Sequence, residues 1–146
     1  MRYIARGLAV AATTTLALVA APAAVGSAGA ATSGAESLYA PSALALTVTA
    51  GDDAATGTVL RAVTLGCTPT ATGTHPDPEA ACAELRAADG RFDAVTTRDS
   101  GVMCTKEWEP VTVTADGVWN GKRVRYSHTF GNACVQGSSS GTVFAF

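Results

Sequence analysis

The sequence contains few of the residues from which catalytic and metal sites are built. It has two histidines, His75 and His128, about fifty residues apart, and four cysteines with no C-x-x-C pair among them. A zinc site needs closely spaced cysteine and histidine ligands, and a nucleophile needs a base and an orienting group. The sequence provides neither arrangement, so we predict no enzyme, no metal and no cofactor. We expect His75 to serve loop structure and His128 to lie at the surface or edge of a strand.

One serine motif is present but incomplete. Residues 137–141 read G-S-S-S-G and match the G-x-S-x-G pattern of serine hydrolases. That pattern needs a helix after it, followed by an acidic residue and a histidine, whereas only residues 142–146 remain here. The motif therefore predicts a flexible loop and not a nucleophile.

Basic side chains are also few and scattered. Ten lysines and arginines stand against twelve aspartates and glutamates, for a formal net charge of −2. The only basic cluster, Lys122, Arg123 and Arg125, is interleaved with strand-forming residues. Because a phosphate-binding surface needs clustered basic residues, we predict a solvated strand face and no nucleic-acid partner.

A long apolar run occurs only near the N-terminus. Arg2 and Arg6 precede an alanine-rich run from Leu8 to Val25, and Ala28-Gly29-Ala30 supplies the small residues that signal peptidase requires. No later stretch is long and apolar enough to span a bilayer. We therefore predict a cleaved signal peptide at residues 1–30 and a secreted, extracellular protein, rather than a membrane anchor.

The rest of the chain is long enough for one domain with a buried core. We predict a flexible tail at residues 31–37 and a folded domain at residues 38–146. Residues 31–146 carry eight basic against twelve acidic side chains, a net charge of −4. They also hold all four cysteines: Cys67, Cys82, Cys104 and Cys134. In an oxidising compartment this even number indicates two disulfides, with three possible pairings.

Alternation and cap signals predict the first half of the domain. Leu44, Leu46 and Val48 alternate with small or polar residues, which is typical of a half-buried strand, and residues 59–65 form a second strand paired with it as a hairpin. The proline-rich segment 68–78 is predicted to be irregular. It leads into a short helix with Asp77 as cap, Pro78 in the first turn and Gly90 as the stop signal.

Turn dipeptides divide the second half into strands. Residues 111–114 form a strand closed by a turn at Asp116-Gly117, and Asn120-Gly121 marks a hairpin before a strand at residues 122–130. Residues 142–146 form a closing strand, and we expect Trp119 in the core. The predicted fold class is therefore α+β, a mainly antiparallel sheet of about five strands with one or two short helices.

Short segments spread over residues 38–146 also match a known family. They are Leu38-Tyr39-Ala40-Pro41-Ser42-Ala43-Leu44, Gly73-Thr74-His75-Pro76, Val102-Met103-Cys104, Asp116-Gly117-Val118-Trp119, Gly121-Lys122-Arg123-Val124 and Val143-Phe144-Ala145-Phe146. Together they resemble the Streptomyces-type subtilisin inhibitor family. The resemblance implies a secreted inhibitor of subtilisin-like and trypsin-like serine proteases, not itself an enzyme, that forms a homodimer through a sheet face. It also implies the disulfides Cys67–Cys82 and Cys104–Cys134.

The resemblance places the inhibitory site in one loop. In the family the scissile bond follows the second residue after the loop cysteine, which implies the bond between Lys106 and Glu107 here. Lys106 would then enter the specificity pocket of the protease, and the rest of the loop would contact its surface: Met103, Cys104, Thr105, Trp108 and Glu109. Asn132 matches an asparagine that the family places behind the loop.

These assignments have plainer alternatives. In these alternatives, Lys106 is only a solvated charge, Trp108 packs beneath the loop, and Asn132 is an ordinary turn residue. The type member of the family has methionine preceded by proline where this chain has Lys106 preceded by Thr105. Two alternative functions also stand: an inhibitor of another secreted protease class, such as a metalloprotease, and a non-inhibitory extracellular binding protein on the same scaffold.

Overall fold

The computed structural model describes residues 39–146, and the predicted signal peptide (1–30) and tail (31–37) lie outside the described residues. The described part is an antiparallel sheet with short helices packed against one face, which confirms the predicted α+β class. The strands are β1 (Ala43–Ala50), β2 (Thr58–Gly66), β3 (Thr72–Gly73), β4 (Val111–Trp119) and β5 (Lys122–Phe130). Their order in the sheet is β3-β2-β1-β4-β5.

Within residues 39–146, three α-helices and one 3-10 helix accompany the sheet. They are α1 (Pro78–Ala87), α2 (Phe92–Thr96), α3 (Ala133–Ser139) and the 3-10 helix Thr142–Phe144. The start of α1 is as predicted, because an Asp77 carboxylate oxygen accepts a hydrogen bond from the backbone N–H of Ala80 at 3.0 Å and Pro78 opens the first turn. No helix within residues 39–146 is long and apolar enough to cross a membrane.

The predicted turn at Asp116-Gly117 is wrong. Strand β4 continues through both residues to Trp119, and the chain reverses only at Asn120-Gly121, as predicted for the hairpin. Gly117 has a φ of +144°, and a Cβ there would overlap the carbonyl oxygen of Ala43 on β1. The glycine therefore permits a close approach of two strands and does not mark a turn.

Two predictions near the C-terminus and one near the middle are also wrong. The segment 137–141, predicted as a flexible loop, begins inside α3, and the predicted closing strand 142–146 is a 3-10 helix whose Val143 and Phe144 are buried. The remaining strand is instead β3, inside the segment 68–78 that was predicted to be irregular. Short apolar runs do not distinguish a strand from a buried helical turn, which explains why residues 142–146 were predicted to form a strand.

The core lies between the sheet and α1, α2 and the 3-10 helix. Its sheet side comes from alternate residues of β1, β2 and β4, including Leu46, Leu65 and Val113. Trp119, predicted to be in the core, is 7% exposed. His75 is 4% exposed; its Nδ1 accepts a hydrogen bond from the N–H of Asp77 at 3.1 Å, and its Nε2 lies 3.3 Å from the carbonyl oxygen of Val143. His75 therefore has the structural role predicted for it.

Both disulfides implied by the family resemblance are present. Cys67 at the end of β2 is bonded to Cys82 of α1, with Cα atoms 5.5 Å apart, and Cys104 is bonded to Cys134 of α3, with Cα atoms 5.8 Å apart. The sequence separations are 15 and 30 residues. In the chain-entropy model these loops contribute about 3 and 3.5 kcal/mol to stability. The first bond secures α1 on the sheet, and the second lies outside the core.

The contact between Gly90 and Trp119 provides a test of this packing. Gly90 has a φ of +68°, and an added Cβ would lie 2.5 Å from the indole nitrogen of Trp119. We expect Gly90→Ala to lower the free energy of unfolding by about 2–4 kcal/mol, because backbone strain and overpacking add. Gly137→Ala is the matched control, since an added Cβ there has no neighbour within 4 Å and the helix should gain about 0.5–1 kcal/mol. Urea unfolding, followed by tryptophan fluorescence, measures the free energy of unfolding of both variants. Equal stabilities would contradict the close contact between Gly90 and Trp119.

Candidate functional site

The longest irregular segment among the described residues is an exposed loop between α2 and β4. Residues 97–110 contain no helix or strand, and we call them the exposed loop. Met103 is 97% exposed, Trp108 66% and Val102 59%. Lys106 and Glu107 are exposed between them. Exposed apolar side chains grouped in one segment are typical of a surface that binds another molecule.

Asn132 holds the backbone of the exposed loop on both sides of Lys106. Its side-chain amide donates hydrogen bonds to the carbonyl oxygens of Thr105 at 2.9 Å and Glu107 at 3.0 Å. Its side-chain oxygen accepts from the N–H of Val135 at 3.0 Å and so caps α3. Asn132 is 7% exposed, so water competes little for these bonds.

Two further links join the exposed loop to the same part of the chain. The disulfide attaches Cys104 to Cys134, and the N–H of Glu109 donates to the carbonyl oxygen of Gly131 at 2.9 Å. Together with Asn132, these groups attach residues 104–109 to residues 131–139, which we call the platform. Lys106 therefore lies on a short bridge that is fixed at both ends.

The upstream stem of the exposed loop is attached to the other end of the platform. The N–H of Arg98 donates to the carbonyl oxygen of Ser139 at 3.2 Å, and its guanidinium lies 2.6 Å from a carboxylate oxygen of Glu84 on α1. Between this stem and Cys104, two local bonds shape the chain, from the N–H of Gly101 to Asp99 and from that of Val102 to Ser100.

Comparison with known proteins identifies the family. The model of the subtilisin inhibitor-like family matches residues 40–132. This chain belongs to the subtilisin inhibitor-like family. The family consists of protease inhibitors, and the chain is not an enzyme.

Named relatives and a solved structure cover most of the described domain. A transglutaminase-activating metalloprotease inhibitor of Streptomyces mobaraensis is 59% identical over 111 residues, 76% of this chain and 75% of the relative. A trypsin inhibitor of Streptomyces longisporus is 60% identical over 110 residues, 75% of this chain and 76% of the relative. The crystal structure of Streptomyces caespitosus sermetstatin in complex with Bacillus licheniformis subtilisin has a TM-score of 0.67 and 50% identity, covering 73% of this chain and 99% of that chain.

The structure brings the residues singled out in the sequence into one surface. Residues 103–109 and Asn132 are all within the exposed loop and platform. Trp108 rests partly on the platform, since a Cβ added to Gly131 would lie 3.8 Å from its ring carbons, while its other face is open to solvent. Glu84 and Arg98 were missed. Glu84 is distant in sequence from Lys106, and although Arg98 lies at the start of the exposed loop, no sequence pattern connects the two residues.

The charges beside the carbonyl groups held by Asn132 are exposed. Lys106 is flanked by Glu107 and Glu109, all three are exposed, and neither of the ion pairs found among residues 39–146 involves Lys106. A cleft of about 360 Å³ lies between the loop and the platform.

Within the described residues, no group of three or more histidine, cysteine, aspartate or glutamate side chains is arranged to hold a metal ion.

Substitutions of Asn132 separate its two roles. Asn132→Asp keeps an acceptor for the N–H of Val135 but replaces the donor to Thr105 and Glu107 with a carboxylate that repels both carbonyl groups. Asn132→Ala removes both functions and costs about 1 kcal/mol of stability through the lost cap. With a catalytic amount of trypsin, we expect the bond after Lys106 to be cut faster in both variants than in the parent.

The matched control for this test is Asn120→Asp, which makes the same charge change in the hairpin between β4 and β5. Urea unfolding of the same samples measures how much the helix cap of Asn132 contributes to the free energy of unfolding. If trypsin cuts Asn132→Asp at the parent rate, the two hydrogen bonds do not restrain the exposed loop.

Proposed function

We propose that this chain is a secreted inhibitor of serine proteases whose substrate-like bond joins Lys106 to Glu107. The observation that carries the proposal is the pair of hydrogen bonds from Asn132 to the carbonyl groups on both sides of Lys106. We further propose that residues 1–30 are removed on export and that residues 38–146 are the inhibitory domain. Two disulfides suit an oxidising, extracellular environment.

The restrained loop explains how binding becomes tight. A flexible peptide loses conformational entropy when a protease orders it, whereas residues 104–109 are already attached to the platform. An interface of ordinary size, on the order of 1,600 Å², is then sufficient for strong inhibition. Met103 and Trp108 supply exposed apolar surface on the two sides of the bond, and Trp is among the residues that most often anchor such interfaces.

The same restraints explain why the loop inhibits instead of being consumed. Attack at the Lys106 carbonyl breaks its bond to the nitrogen of Glu107 and leaves an acyl-enzyme and a new amine. Asn132 holds the Glu107 carbonyl and Gly131 holds the N–H of Glu109, so that the amine stays beside the acyl group. The disulfide at Cys104 retains the acyl side. Re-formation of the bond therefore competes with hydrolysis.

The side chain of Lys106 sets the specificity. It is exposed and outside the ion pairs of the described residues, so its ammonium is free to meet the aspartate at the base of a trypsin-type pocket. A broad subtilisin pocket would accept the aliphatic stem. The trypsin inhibitor of S. longisporus and the sermetstatin–subtilisin complex support both targets. Glu107 and Glu109 would weaken binding to proteases with an acidic surface on the leaving-group side.

Lys106→Ala tests this assignment. Trypsin inhibition should fall by at least about a hundredfold, because truncating one partner of a buried charge pair at an interface costs several kcal/mol. Subtilisin inhibition should fall much less, since the backbone of the loop is unchanged. Inhibition constants for both enzymes measure the difference, with Lys122→Ala on β5 as the control for loss of an exposed lysine.

Cleavage mapping locates the bond independently. Long incubation of the parent with catalytic trypsin should first break Lys106–Glu107 and leave two fragments joined by the Cys104–Cys134 bond. If the first cut falls elsewhere, or if Lys106→Ala inhibits trypsin as strongly as the parent, then the reactive bond has been misplaced.

Metalloprotease inhibition is a second candidate function. It is favoured by the 59% identity to the metalloprotease inhibitor of S. mobaraensis. A metalloprotease does not use a trypsin-type pocket, so Lys106→Ala should leave such inhibition intact if another surface is responsible. A parent protein that inhibits neither trypsin nor subtilisin, nor a metalloprotease, would indicate the remaining alternative, a non-inhibitory binding protein.

We also propose that the chain forms a homodimer through the open face of the sheet. This face carries small and uncharged side chains in its centre, namely Ala45, Thr47, Ala62, Thr64 and Thr114. At one end, β2 exposes Val59 and Leu60, which are 56% and 59% exposed. The Asp116 carboxylate also lies on this face, opposite Ala45, and is paired there with Arg125. A surface with so few charges is suited to self-association, because little charge has to be desolvated.

Sedimentation equilibrium tests the dimer. At micromolar concentration the secreted protein should have about twice the mass of one chain. Ala62→Lys should convert it to a monomer by placing an unpaired charge opposite Thr47 on the open face. Ala83→Lys on the exposed side of α1 is the control and should remain dimeric. A parent that sediments as a monomer at every concentration would refute the dimer without affecting the inhibitory mechanism.

A further inference from the structure

Hydrophobic burial holds the platform only in part, because Val135 is the one residue of α3 that packs, partly buried, against the core. Helix α3 has seven residues and none of them is buried. Its contacts with the rest of the domain include polar ones, such as the bonds from the side-chain amide of Gln136 to the carbonyl oxygen of Phe144 and from the N–H of Arg98 to the carbonyl oxygen of Ser139. The position of the platform therefore depends on what fixes the segments that flank it.

One carboxylate connects both flanking segments to the core. Glu84 lies on α1, and its side chain is 7% exposed. One of its oxygens lies 2.6 Å from the guanidinium of Arg98, at the stem of the exposed loop. The other accepts a hydrogen bond from the N–H of Val143 at 2.8 Å, just after the platform ends. Val143 is itself buried, so this bond joins the end of the platform to the core.

The backbone beside Glu84 leaves room for this contact. Gly141, between the platform and Val143, has a φ of +60°, and a Cβ there would overlap a carboxylate oxygen of Glu84. Any other residue at this position would displace the carboxylate or the backbone. Because Glu84 is charged and nearly buried, the folded state depends on its partners. Removing the cationic partner of a buried carboxylate strongly destabilises a protein.

We propose that Glu84 is a remote positioning residue of the inhibitory loop, acting through Arg98 and Val143. This inference rests on the proposed function. The property that Glu84 would control is how long the bond between Lys106 and Glu107 stays intact while a protease is bound. Asn132 and the disulfide fix the loop to the platform, and Glu84 fixes the platform and the loop stem to the core. When this second attachment is loosened, the new amine moves away from the acyl group. Hydrolysis of the acyl-enzyme then becomes faster relative to re-formation of the bond.

Glu84→Gln is the sharpest test. The variant keeps the size of the side chain and an acceptor for the N–H of Val143, but it lacks the charge that attracts Arg98. With catalytic trypsin, we expect cleavage at Lys106–Glu107 to be about tenfold faster than in the parent, within the range of remote coupling effects. Gly141→Ala should give the same result by displacing the carboxylate.

The control is Glu79→Gln, which makes the same change from carboxylate to amide on the same helix. Glu79 lies in the first turn of α1, is exposed, and belongs to neither of the ion pairs found among residues 39–146. Its cleavage rate should equal that of the parent.

The sites of cleavage distinguish positioning from a general loss of stability. A loosened loop is cut first at Lys106, whereas a domain that unfolds globally is also cut within strands, at Arg61 and Arg125. Parent-like rates in Glu84→Gln and Gly141→Ala, or early cuts in the strands, would overturn the proposal.

A second measurement needs no protease. The side-chain amide protons of Asn132 should exchange with solvent faster in Glu84→Gln than in the parent and in Glu79→Gln, as followed by NMR. Unchanged exchange would overturn the proposed positioning role even if the parent inhibits trypsin. A parent that fails to inhibit trypsin while Glu84→Gln still accelerates this exchange would refute the proposed function alone.

Discussion

The two hydrogen bonds from Asn132 to Thr105 and Glu107 are the constraint on which the site depends. They fix the carbonyl groups on both sides of Lys106 but leave its side chain exposed. The same side chain caps α3, so the order of the loop and the order of the platform helix are coupled. A donor and an acceptor in one residue are required for this, and only an amide side chain provides both in that geometry.

Much of the fold could be predicted because local rules and tertiary packing agree there. The alternation of Leu44, Leu46 and Val48 matches their burial in β1, and Asp77 with Pro78 opens α1 as cap rules require. Gly117 shows the limit of such rules. A glycine after an aspartate is typical of a turn, but here it accommodates the backbone of a neighbouring strand that sequence alone does not place.

The candidate site was only partly predictable, for a related reason. The family resemblance drew attention to residues 103–109 and to Asn132, and the structure brings these groups together. It gave no indication of Glu84 or Arg98, because an acidic residue on an amphipathic helix normally faces solvent. The end of the platform, residues 137–139, was predicted to belong to a flexible glycine–serine loop. Gly137 and the serines around it have weak helical preference, and the helix forms there with a capping asparagine and a disulfide in its first turn.

The domain therefore separates the interactions that stabilise it from those that shape the exposed loop, the proposed inhibitory surface. The sheet, α1 and the Cys67–Cys82 bond form a core that does not involve the exposed loop. The loop is shaped by a second set of groups that are mostly polar and lie outside that core. Burial is non-directional, whereas hydrogen bonds and a disulfide fix geometry. The second set therefore suits the proposed mechanism, in which the surface keeps one shape after its backbone is cut. Glu84 belongs to both sets, since it lies on a core helix and contacts the loop stem. In the proposed role of Glu84, a nearly buried charge at that junction transmits the rigidity of the core to a loop that contributes no residue to the hydrophobic core.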